Sequence, residues 1–311
     1  MKCRKCGSAA VINLRQHRLS LCKEHFNDWF IQHCASTIKK FDMIKPGDRI
    51  LVAVSGGKDS LGLWDVLLKL GYKADGLIIN LGIDAGSEYS ARSLEITRKF
   101  CGENGQNLHV LDIQKEYGGS VSHFFTRAHP DDQKPCSTCG LVKRHELNRV
   151  AKDNGYTTLA TGHNLDDEAA VLFSNSLSWN TSQLLRQDPV MEEYGQFVRR
   201  IKPLVQFYER ETTAYAILNG IEYIEEECPF STGSKTNYHK TILNKMENEQ
   251  PGLKYQFYRS FIEKKKTGLL KISENRPYEE HYCQICGQPT SSEGKCAFCR
   301  MLEGMDQAVS R

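Results

Sequence analysis

Residues 50–60 of the chain read ILVAVSGGKDS, and residues 61–68 read LGLWDVLL. The apolar run that opens the first stretch predicts a buried strand, and the apolar spacing of the second predicts a helix. The two glycines between them allow the backbone to approach a ligand closely. N–H groups at the start of the helix, the Lys58 ammonium and the Ser55 and Ser60 hydroxyls would then meet at one place. The stretch predicts an anion site, although it lacks the G-x-x-x-x-G-K-[ST] spacing of a Walker loop.

Short apolar runs continue to alternate with helical patterns after this unit. Strands are expected at 76–81, 108–113 and 157–161, and a helix at 88–104. This alternation predicts an α/β fold whose parallel sheet is covered by helices on both faces. Ligands bind beyond the carboxyl ends of such strands. We therefore expect four strand ends to converge on the loop at 55–60.

Length and composition indicate an ordinary globular protein. The chain has 311 residues, 25% of them charged, and a net charge of +3. This charge alone does not indicate nucleic acid, so any basic surface must be local. No apolar run approaches the roughly 20 residues that a membrane helix needs, and the N-terminus lacks the apolar core of a signal peptide. We expect a cytoplasmic protein with no membrane partner.

Twelve cysteines indicate metal ligands or reactive thiols in a reducing compartment. A C-x-x-C pair followed by C-x-x-H near the N-terminus predicts a closed, structural zinc site, since four ligands leave no open catalytic position. Two C-x-x-C pairs near the C-terminus predict a second zinc site. The expected ligands are Cys3, Cys6, Cys22 and His25 in the first site and Cys283, Cys286, Cys296 and Cys299 in the second. Two knuckles, at 1–28 and 271–311, would flank a catalytic domain at 29–270.

A third cysteine group differs from the zinc pattern. Cys136 and Cys139 open a predicted helix, where the helix dipole lowers the pKa of thiols, and Lys143 follows on the same face. A third cysteine, Cys228, lies far along the chain. Three thiolates suit an iron–sulfur cluster with one iron left free by the protein. A redox disulfide and a three-cysteine zinc site are equally consistent with the spacing.

Three further segments allow two interpretations each. The acids of GHNLDDEA at 162–169 stabilise a helix N-terminus, or they bind magnesium or position a nucleophile. The connection at 114–135 is a flap over the site or a disordered insertion. The basic runs at 199–202 and 264–266 are solvated faces or contacts to the phosphates of a nucleic acid.

Together, SGGKDS, the Cys136/Cys139 pair with Lys143, GHNLDDEA and the later EECP resemble the tRNA 2-thiouridine synthetases of the TtuA/TtcA group, in the PP-loop ATPase superfamily. The resemblance runs from residue 1 to about residue 302. It implies a HUP-like fold, catalytic roles for Lys143 and Asp167, and a [4Fe–4S] cluster on Cys136, Cys139 and Cys228. The ATP-binding residues that it implies are Ala53, Ser55, Gly56, Gly57, Lys58, Asp59, Ser60, Ile79, Lys143 and Gly162.

The reaction implied by the resemblance has two steps. ATP, with Mg²⁺, would adenylate the C2 oxygen of a uridine and release diphosphate. Sulfur delivered through the cluster would then replace that oxygen. The two flanking knuckles narrow the resemblance to one branch of the group. Within that branch the likeness is greatest to the enzymes that thiolate 5-methyluridine 54 of tRNA, and the wobble uridine is an alternative target. A ubiquitin-like thiocarboxylate protein or free sulfide would donate the sulfur, and the family suggests a homodimer.

Two other functions remain open from the sequence. A PP-loop ligase would adenylate a substrate and then use nitrogen, but it would not need the thiol trio. A zinc-ribbon RNA-binding protein with a vestigial ATP site would not need the intact Lys58, Asp59, Lys143 and Asp167. Iron and acid-labile sulfide in the purified protein would favour thiolation over both.

Overall fold

A computed structural model describes residues 1–83, 88–128, 136–231, 235–268 and 281–309. The strands are β1 (Ile12–Leu14), β2 (Leu19–Leu21), β3 (Ile50–Val54), β4 (Ala74–Asn80), β5 (Leu108–Asp112), β6 (Thr158–Thr161), β7 (Val190–Met191), β8 (Arg199–Ile201), β9 (His281–Tyr282) and β10 (Pro289–Thr290). The α-helices are α1 (Lys23–Lys40), α2 (Lys58–Lys69), α3 (Tyr89–Glu103), α4 (Ile113–Tyr117), α5 (Val121–Ala128), α6 (Cys136–Asp153), α7 (Leu165–Leu177), α8 (Thr181–Leu185), α9 (Glu209–Leu218), α10 (Lys235–Glu249), α11 (Leu253–Lys266) and α12 (Ala297–Val309).

The central sheet has six strands in the order β5-β4-β3-β6-β8-β7. The first five run parallel, and β7 pairs antiparallel with β8 at the edge. The order reverses on either side of β3, so the loop after β3 opens at the topological switch point where ligands bind in such sheets. The predicted α/β fold with a parallel sheet is confirmed.

Helices bury both faces of this sheet. Side chains alternate along a strand, so Val52 of β3 packs in one core with α1, α2 and α9, whereas Leu51 packs in a second core with α6. Both residues are fully buried. The continuous apolar run at 50–54 reflects this double burial, and it fixes where the following loop lies.

The connection at 114–135 differs from the expected loop. Two helices, α4 and α5, occupy much of it, and residues 129–135 lie outside the described residues. Val121 and Phe124 are almost fully buried, so α5 is anchored to the core by its apolar face. A disordered insertion is therefore wrong for α4 and α5, and the flap stays a prediction.

The basic run at 199–202 is not a solvated face. Most of the run belongs to β8, a strand that was not predicted and that places these residues inside the sheet. Arg199 is 5% exposed and pairs with Glu192 at 2.9 Å; Lys202 is 9% exposed and pairs with Glu168 at 2.8 Å. Both side chains are therefore engaged in buried ion pairs and are not available to contact phosphates.

The two cysteine-rich ends join the catalytic core differently. In the N-terminal one, the β1–β2 hairpin leads directly into α1, which begins at Lys23 and ends at Lys40. The expected boundary at residue 28 falls inside this continuous helix. The C-terminal one has the β9–β10 hairpin and α12, and it shares a buried cluster with α5 and α6. The expected boundary at 270 lies outside the described residues.

No described helix combines the length and apolarity needed to cross a bilayer.

Candidate active site and metal centres

The loop after β3 is held by its own serine and glycine residues. The Ser60 hydroxyl accepts from the Ser55 N–H at 3.1 Å and donates to the Gly57 carbonyl at 3.0 Å. Gly56 has φ +73°, and a Cβ there would lie 2.9 Å from the Ser93 backbone. Glycine at 56 is thus required twice, by its left-handed conformation and by the close approach of α3. Ser60 folds the loop in addition to any ligand contact.

The ends of β3, β4 and β6 line one cavity of about 350 Å³. Seven of the ten predicted ATP-binding residues line it, and two thiols of the predicted trio, Cys139 and Cys228, line the same cavity. The seven are Ala53, Ser55, Asp59, Ser60, Ile79, Lys143 and Gly162. Gly56, Gly57 and Lys58 belong to the loop without lining the cavity. The expected convergence of strand ends is found for these three strands.

Gly162, which follows β6, allows the β6 turn to lie against the start of α2. A Cβ on Gly162 would come within 2.8 Å of the Asp59 backbone. The next residue, His163, also lines the cavity, and burial lowers its pKa. A neutral imidazole therefore stands beside the anion loop, with Nδ1 3.0 Å from the Thr161 hydroxyl.

A chain of alternating charges runs beside the loop. Lys58 Nζ lies 3.0 Å from Asp59 and 2.9 Å from Glu209, while Lys240 Nζ lies 3.1 Å from Glu209 and 2.6 Å from Asp167. Burial opposes the charge on each lysine, but the neighbouring carboxylates outweigh it and raise the pKa of both. The network holds two cations at the start of α2.

Glu209 and Lys240 were missed by sequence reasoning. Glu209 begins α9 and Lys240 lies on α10, and neither belongs to a motif. Burial alone raises the pKa of Glu209, yet Lys240 and Lys58 lower it overall, so the carboxylate stays charged between two ammonium groups. A phosphate group entering the site would compete for the same cations.

Asp167 has a structural role beside its predicted catalytic one. Its carboxylate accepts from the Asn164 N–H at 3.1 Å, and the Asn164 side chain accepts from the Asp167 N–H at 3.1 Å. This reciprocal capping box begins α7. Among the residues that line the 350 Å³ cavity Asp167 is absent, and it reaches the loop network through Lys240.

The Cys139 thiol does not behave as its helix position predicts. Burial raises its pKa, and the Lys143 charge only partly offsets this. The expectation of a lowered pKa is therefore wrong for Cys139, because desolvation outweighs the helix dipole. Bound metal would supply the missing positive charge, since a thiol is deprotonated outright on coordination.

The thiol trio comes together from two distant segments. Cys136 Sγ lies 3.4 Å from the carbonyl of Phe230, which is two residues after Cys228. Cys136 and Cys228 also lie close enough to Cys139 for their negative charges to raise its pKa. All three are free thiols. In the described part of the chain the trio does not form a group whose ligand atoms all lie within 4.8 Å. One zinc ion holds its sulfur ligands within about 4.6 Å of each other, so this spacing disfavours a single-ion site.

The N-terminal knuckle brings its four predicted ligands together. Their ligand atoms all lie within 4.8 Å of one another, with His25 Nδ1 3.2 Å from Cys22 Sγ and 3.6 Å from Cys3 Sγ. Burial raises the pKa of Cys3, but backbone hydrogen bonds at Cys22, Lys5 and Cys6 bring it down to about 6. Three thiols and an imidazole, with one thiol already favouring its charged form, fit a structural zinc ion.

The C-terminal knuckle contains one more donor than predicted. Cys286, Cys296 and Cys299 form a group within 4.8 Å that also includes His145 of α6. Cys283 stands beside them and accepts from the Cys296 N–H at 3.3 Å. Backbone hydrogen bonds overcome the effect of burial and lower the pKa of Cys283 to about 6. The donor set fits zinc, and nothing in the sequence around His145 marked it as a member.

The two cysteines outside the metal-ligand groups, Cys34 and Cys101, have structural surroundings. Cys34 is fully buried, and desolvation raises its pKa to about 12. Cys101 donates to the Gln106 carbonyl at 2.8 Å.

In the basic run at 264–266, Lys265 forms an ion pair with Asp188, whereas Lys264 and Lys266 are exposed. Lys264 and Lys266 therefore stay candidate tRNA contacts in this run.

Comparison with known proteins identifies the family. The N-terminal LIM domain of 2-thiouridine synthetase TtuA matches residues 2–27, and the PP-loop domain matches residues 30–246. The tRNA-5-methyluridine(54) 2-sulfurtransferase of Thermus thermophilus is 46% identical over 305 residues, which cover 98% of this chain and 92% of that protein. The chain belongs to the tRNA-5-methyluridine(54) 2-sulfurtransferase family. The enzyme of the same name from Pyrococcus horikoshii is 43% identical and covers 96% of this chain and 93% of its own. The resemblance inferred from the motifs is confirmed.

A solved structure resembles this family member over most of its length. The U34-tRNA thiolase NcsA from Methanococcus maripaludis, determined with its [4Fe–4S] cluster, has a TM-score of 0.77 and 28% sequence identity. The match covers 93% of this chain and 92% of NcsA. The family therefore shares its fold with an enzyme that thiolates a different tRNA position.

Proposed function

We propose that this protein is an ATP-dependent tRNA 2-sulfurtransferase that thiolates 5-methyluridine 54. The observation that carries the proposal is the shared cavity, which is lined both by Ser55, Asp59 and Ser60 of the anion loop and by the thiols of Cys139 and Cys228. An activated oxygen and an incoming sulfur must meet at one carbon atom, so both steps need one site. Family membership supports the same activity.

The loop and its neighbours would carry out adenylation. ATP binds with its phosphates on the 55–60 loop and its adenosine in the cavity beside Ala53, Ile79 and Gly162. The C2 oxygen of the uridine attacks the α-phosphorus, the bond to the β-phosphate oxygen breaks, and diphosphate leaves. Lys58 and Lys240 stabilise the charge that builds up on the leaving diphosphate, while Asp59 and Glu209 are oxygen ligands suited to Mg²⁺.

The thiol side would carry out sulfur transfer. Cys136, Cys139 and Cys228 would hold the [4Fe–4S] cluster, and three free thiols from two segments fit a cluster with one non-protein ligand. The cluster, when bound, supplies an iron that carries the sulfur. Lys143 stands one helical turn after Cys139, where its ammonium stabilises the negative charge on the departing AMP or donates a proton. Asp167 orients Lys240 towards the phosphates.

The remaining parts of the proposal concern partners and organisation. Zinc occupies both knuckles, which at 1–28 and 271–311 flank the catalytic domain at 29–270. A ubiquitin-like thiocarboxylate protein or free sulfide donates the sulfur, and the enzyme acts as a cytoplasmic homodimer. Exposed Lys264 and Lys266 contact tRNA phosphates, which predicts salt-dependent binding.

Nucleoside mass spectrometry after an anaerobic reaction tests the function. Cluster-loaded protein is incubated with ATP, Mg²⁺, sulfide and tRNA that carries unthiolated 5-methyluridine. Thiolated 5-methyluridine is the expected product. Thiolation only at the wobble uridine would contradict the target, and diphosphate release without any thiolated nucleoside in the presence of either donor would contradict sulfur transfer and favour the ligase.

A further inference from the structure

His145 is a buried imidazole with one nitrogen that has no partner. It lies in the middle of α6 and is 6% exposed. Nδ1 lies 2.6 Å from the Glu146 carboxylate, whereas Nε2 has no hydrogen-bond partner in the described part of the chain. A buried nitrogen of this kind is costly to leave unsatisfied. A partner for this nitrogen is therefore expected.

The candidate partner is the C-terminal metal site. One ring nitrogen of His145 lies within 4.8 Å of the sulfur atoms of Cys286, Cys296 and Cys299. Glu146 engages Nδ1, so Nε2 is the nitrogen left for this group. The three thiols belong to the knuckle, but His145 belongs to the catalytic domain, more than 130 residues earlier. The metal site thus extends across two parts of the fold.

Contacts on every side fix the imidazole. Its ring stacks on Phe298 with centroids 3.8 Å apart and planes at 15°. The His145 carbonyl accepts from the Gln288 side chain at 3.2 Å, so the knuckle is also hydrogen-bonded to the α6 backbone. Both knuckle residues are over nine-tenths buried. The imidazole cannot turn away from the thiols without breaking this packing.

Glu146 in turn has a fixed position. The carboxylate is fully buried, accepts from Tyr117 at 2.8 Å and pairs with Arg149 at 2.7 Å. Hydrogen bonds from His145, Arg149 and Tyr117 overcome burial and lower its pKa. A charged carboxylate on one ring nitrogen, with a metal–thiolate centre near the other, is the arrangement that orients histidines at metal sites.

We propose that His145 is the catalytic domain's own contribution to the C-terminal zinc site: Nε2 contacts the metal–thiolate centre and ties α6 to the knuckle. The consequence rests on the proposed function, because α6 begins with Cys136 and Cys139 and carries Lys143. The knuckle then acts as a brace that positions the cluster ligands. His145 is a positioning residue in this scheme.

Zinc release and cobalt spectroscopy test the contact. Full-length protein with both zinc sites loaded is challenged with a chromogenic chelator, and a parallel sample carries Co²⁺ in place of zinc. His145→Phe keeps the ring stacking on Phe298 but removes Nε2. It is expected to bind one of two zinc equivalents 10- to 100-fold more weakly, the usual effect of removing a partner of a metal ligand, and therefore to release that zinc to the chelator more readily. The cobalt–thiolate absorption is expected to shift as well.

Three matched variants sharpen the result. His109→Phe is the control, since His109 pairs with Tyr156 away from both knuckles and should change neither readout. His145→Gln retains a side-chain amide of similar reach, and wild-type zinc retention in this variant would identify a hydrogen bond to a thiolate. Zinc retained in Cys283→Ser but lost in both His145 variants would instead identify His145 as a ligand in place of Cys283. Either pattern supports the contact.

Unchanged zinc release and an unchanged cobalt spectrum in His145→Phe would overturn the contact. Iron content tests the brace: His145→Phe is expected to lower cluster iron per chain, whereas Cys6→Ser in the N-terminal knuckle should not. Equal iron in His145→Phe and wild type would overturn the brace. These readouts need no tRNA, so failure of thiolation with the metal effects intact would count only against the proposed function.

Discussion

Lys240 Nζ lies 2.6 Å from the Asp167 carboxylate, an ion pair that links α10 to the first turn of α7. The same ammonium reaches Glu209, which in turn holds Lys58 of the anion loop. Two cations therefore stand on either side of one carboxylate in the part of the site where phosphates are expected. Through this ion pair Asp167 holds the Lys240 ammonium in place.

Replacing Lys240 by Gln is predicted to slow diphosphate release by about 10- to 100-fold. A hydrogen bond to a charged group contributes roughly 1.5–3 kcal/mol, and the variant removes one from the leaving group. Steady-state diphosphate assays at saturating tRNA measure the effect. Lys245→Gln is the matched control, since Lys245 lies exposed on the same helix. Equal rates in both variants would remove Lys240 from the site.

Replacing Lys58 by Ala is predicted to lower adenylation by on the order of 100-fold or more, because the first lysine of the loop network is lost. The fold should persist, since Lys58 sits at the start of α2 and keeps 21% side-chain exposure. Diphosphate release and thermal unfolding followed by circular dichroism are measured together. Normal diphosphate release in a folded variant would refute the role of the loop.

Replacing Cys228 by Ser is predicted to lose cluster iron while both zinc ions stay bound. The trio supplies the only protein ligands that we assign to the cluster, and neither knuckle includes Cys228. Anaerobic iron and zinc analysis gives the result. Cys101→Ser, which keeps a donor for the Gln106 carbonyl, serves as the control. Full iron occupancy without Cys228 would rule out the assigned ligand set.

Stability should depend on pH through Glu211. Burial raises the pKa of this carboxyl from 4.5 to about 8. The folded chain therefore binds its proton more tightly than the unfolded chain between those values, and the free energy of unfolding falls as the pH rises through that window. Each pKa unit corresponds to about 1.4 kcal/mol.

Glu211→Gln removes this titration. The variant is predicted to match wild type near pH 5 and to exceed its free energy of unfolding by about 1–3 kcal/mol at pH 8. Urea unfolding at both pH values measures the difference. A difference of the same size at pH 5 and pH 8 would show that Glu211 does not titrate in this window.

The parts predicted from sequence are those with local signals. The strand at 50–54, the loop at 55–60 and the capping residues before α7 are each specified by adjacent residues. Cysteine spacing likewise predicted the group of three thiols and one imidazole in the N-terminal knuckle, because a knuckle is a local structure. Confirmed features therefore cluster where one short segment determines its own geometry.

The parts that were missed depend on distant contacts. β8 is short and highly charged, and Arg199 and Ile201 are buried because the strand lies between β6 and β7 in the sheet. Glu209, Lys240 and His145 lie in helices and carry no local sequence signal, so only the folded chain shows that they belong to a site. The pKa of Cys139 is raised, not lowered, because burial outweighs the helix dipole. Burial of a side chain cannot be read from a local sequence pattern.

Stoichiometry in one anaerobic turnover tests most directly the claim that a single cavity performs both steps. Diphosphate and 2-thiolated nucleoside are quantified from the same sample of wild type and of Cys228→Ser. The account predicts one diphosphate per thiolated 5-methyluridine in wild type, and diphosphate without thiolation in the variant. Thiolated nucleoside formed by the variant, or formed by wild type without matching diphosphate, would contradict it.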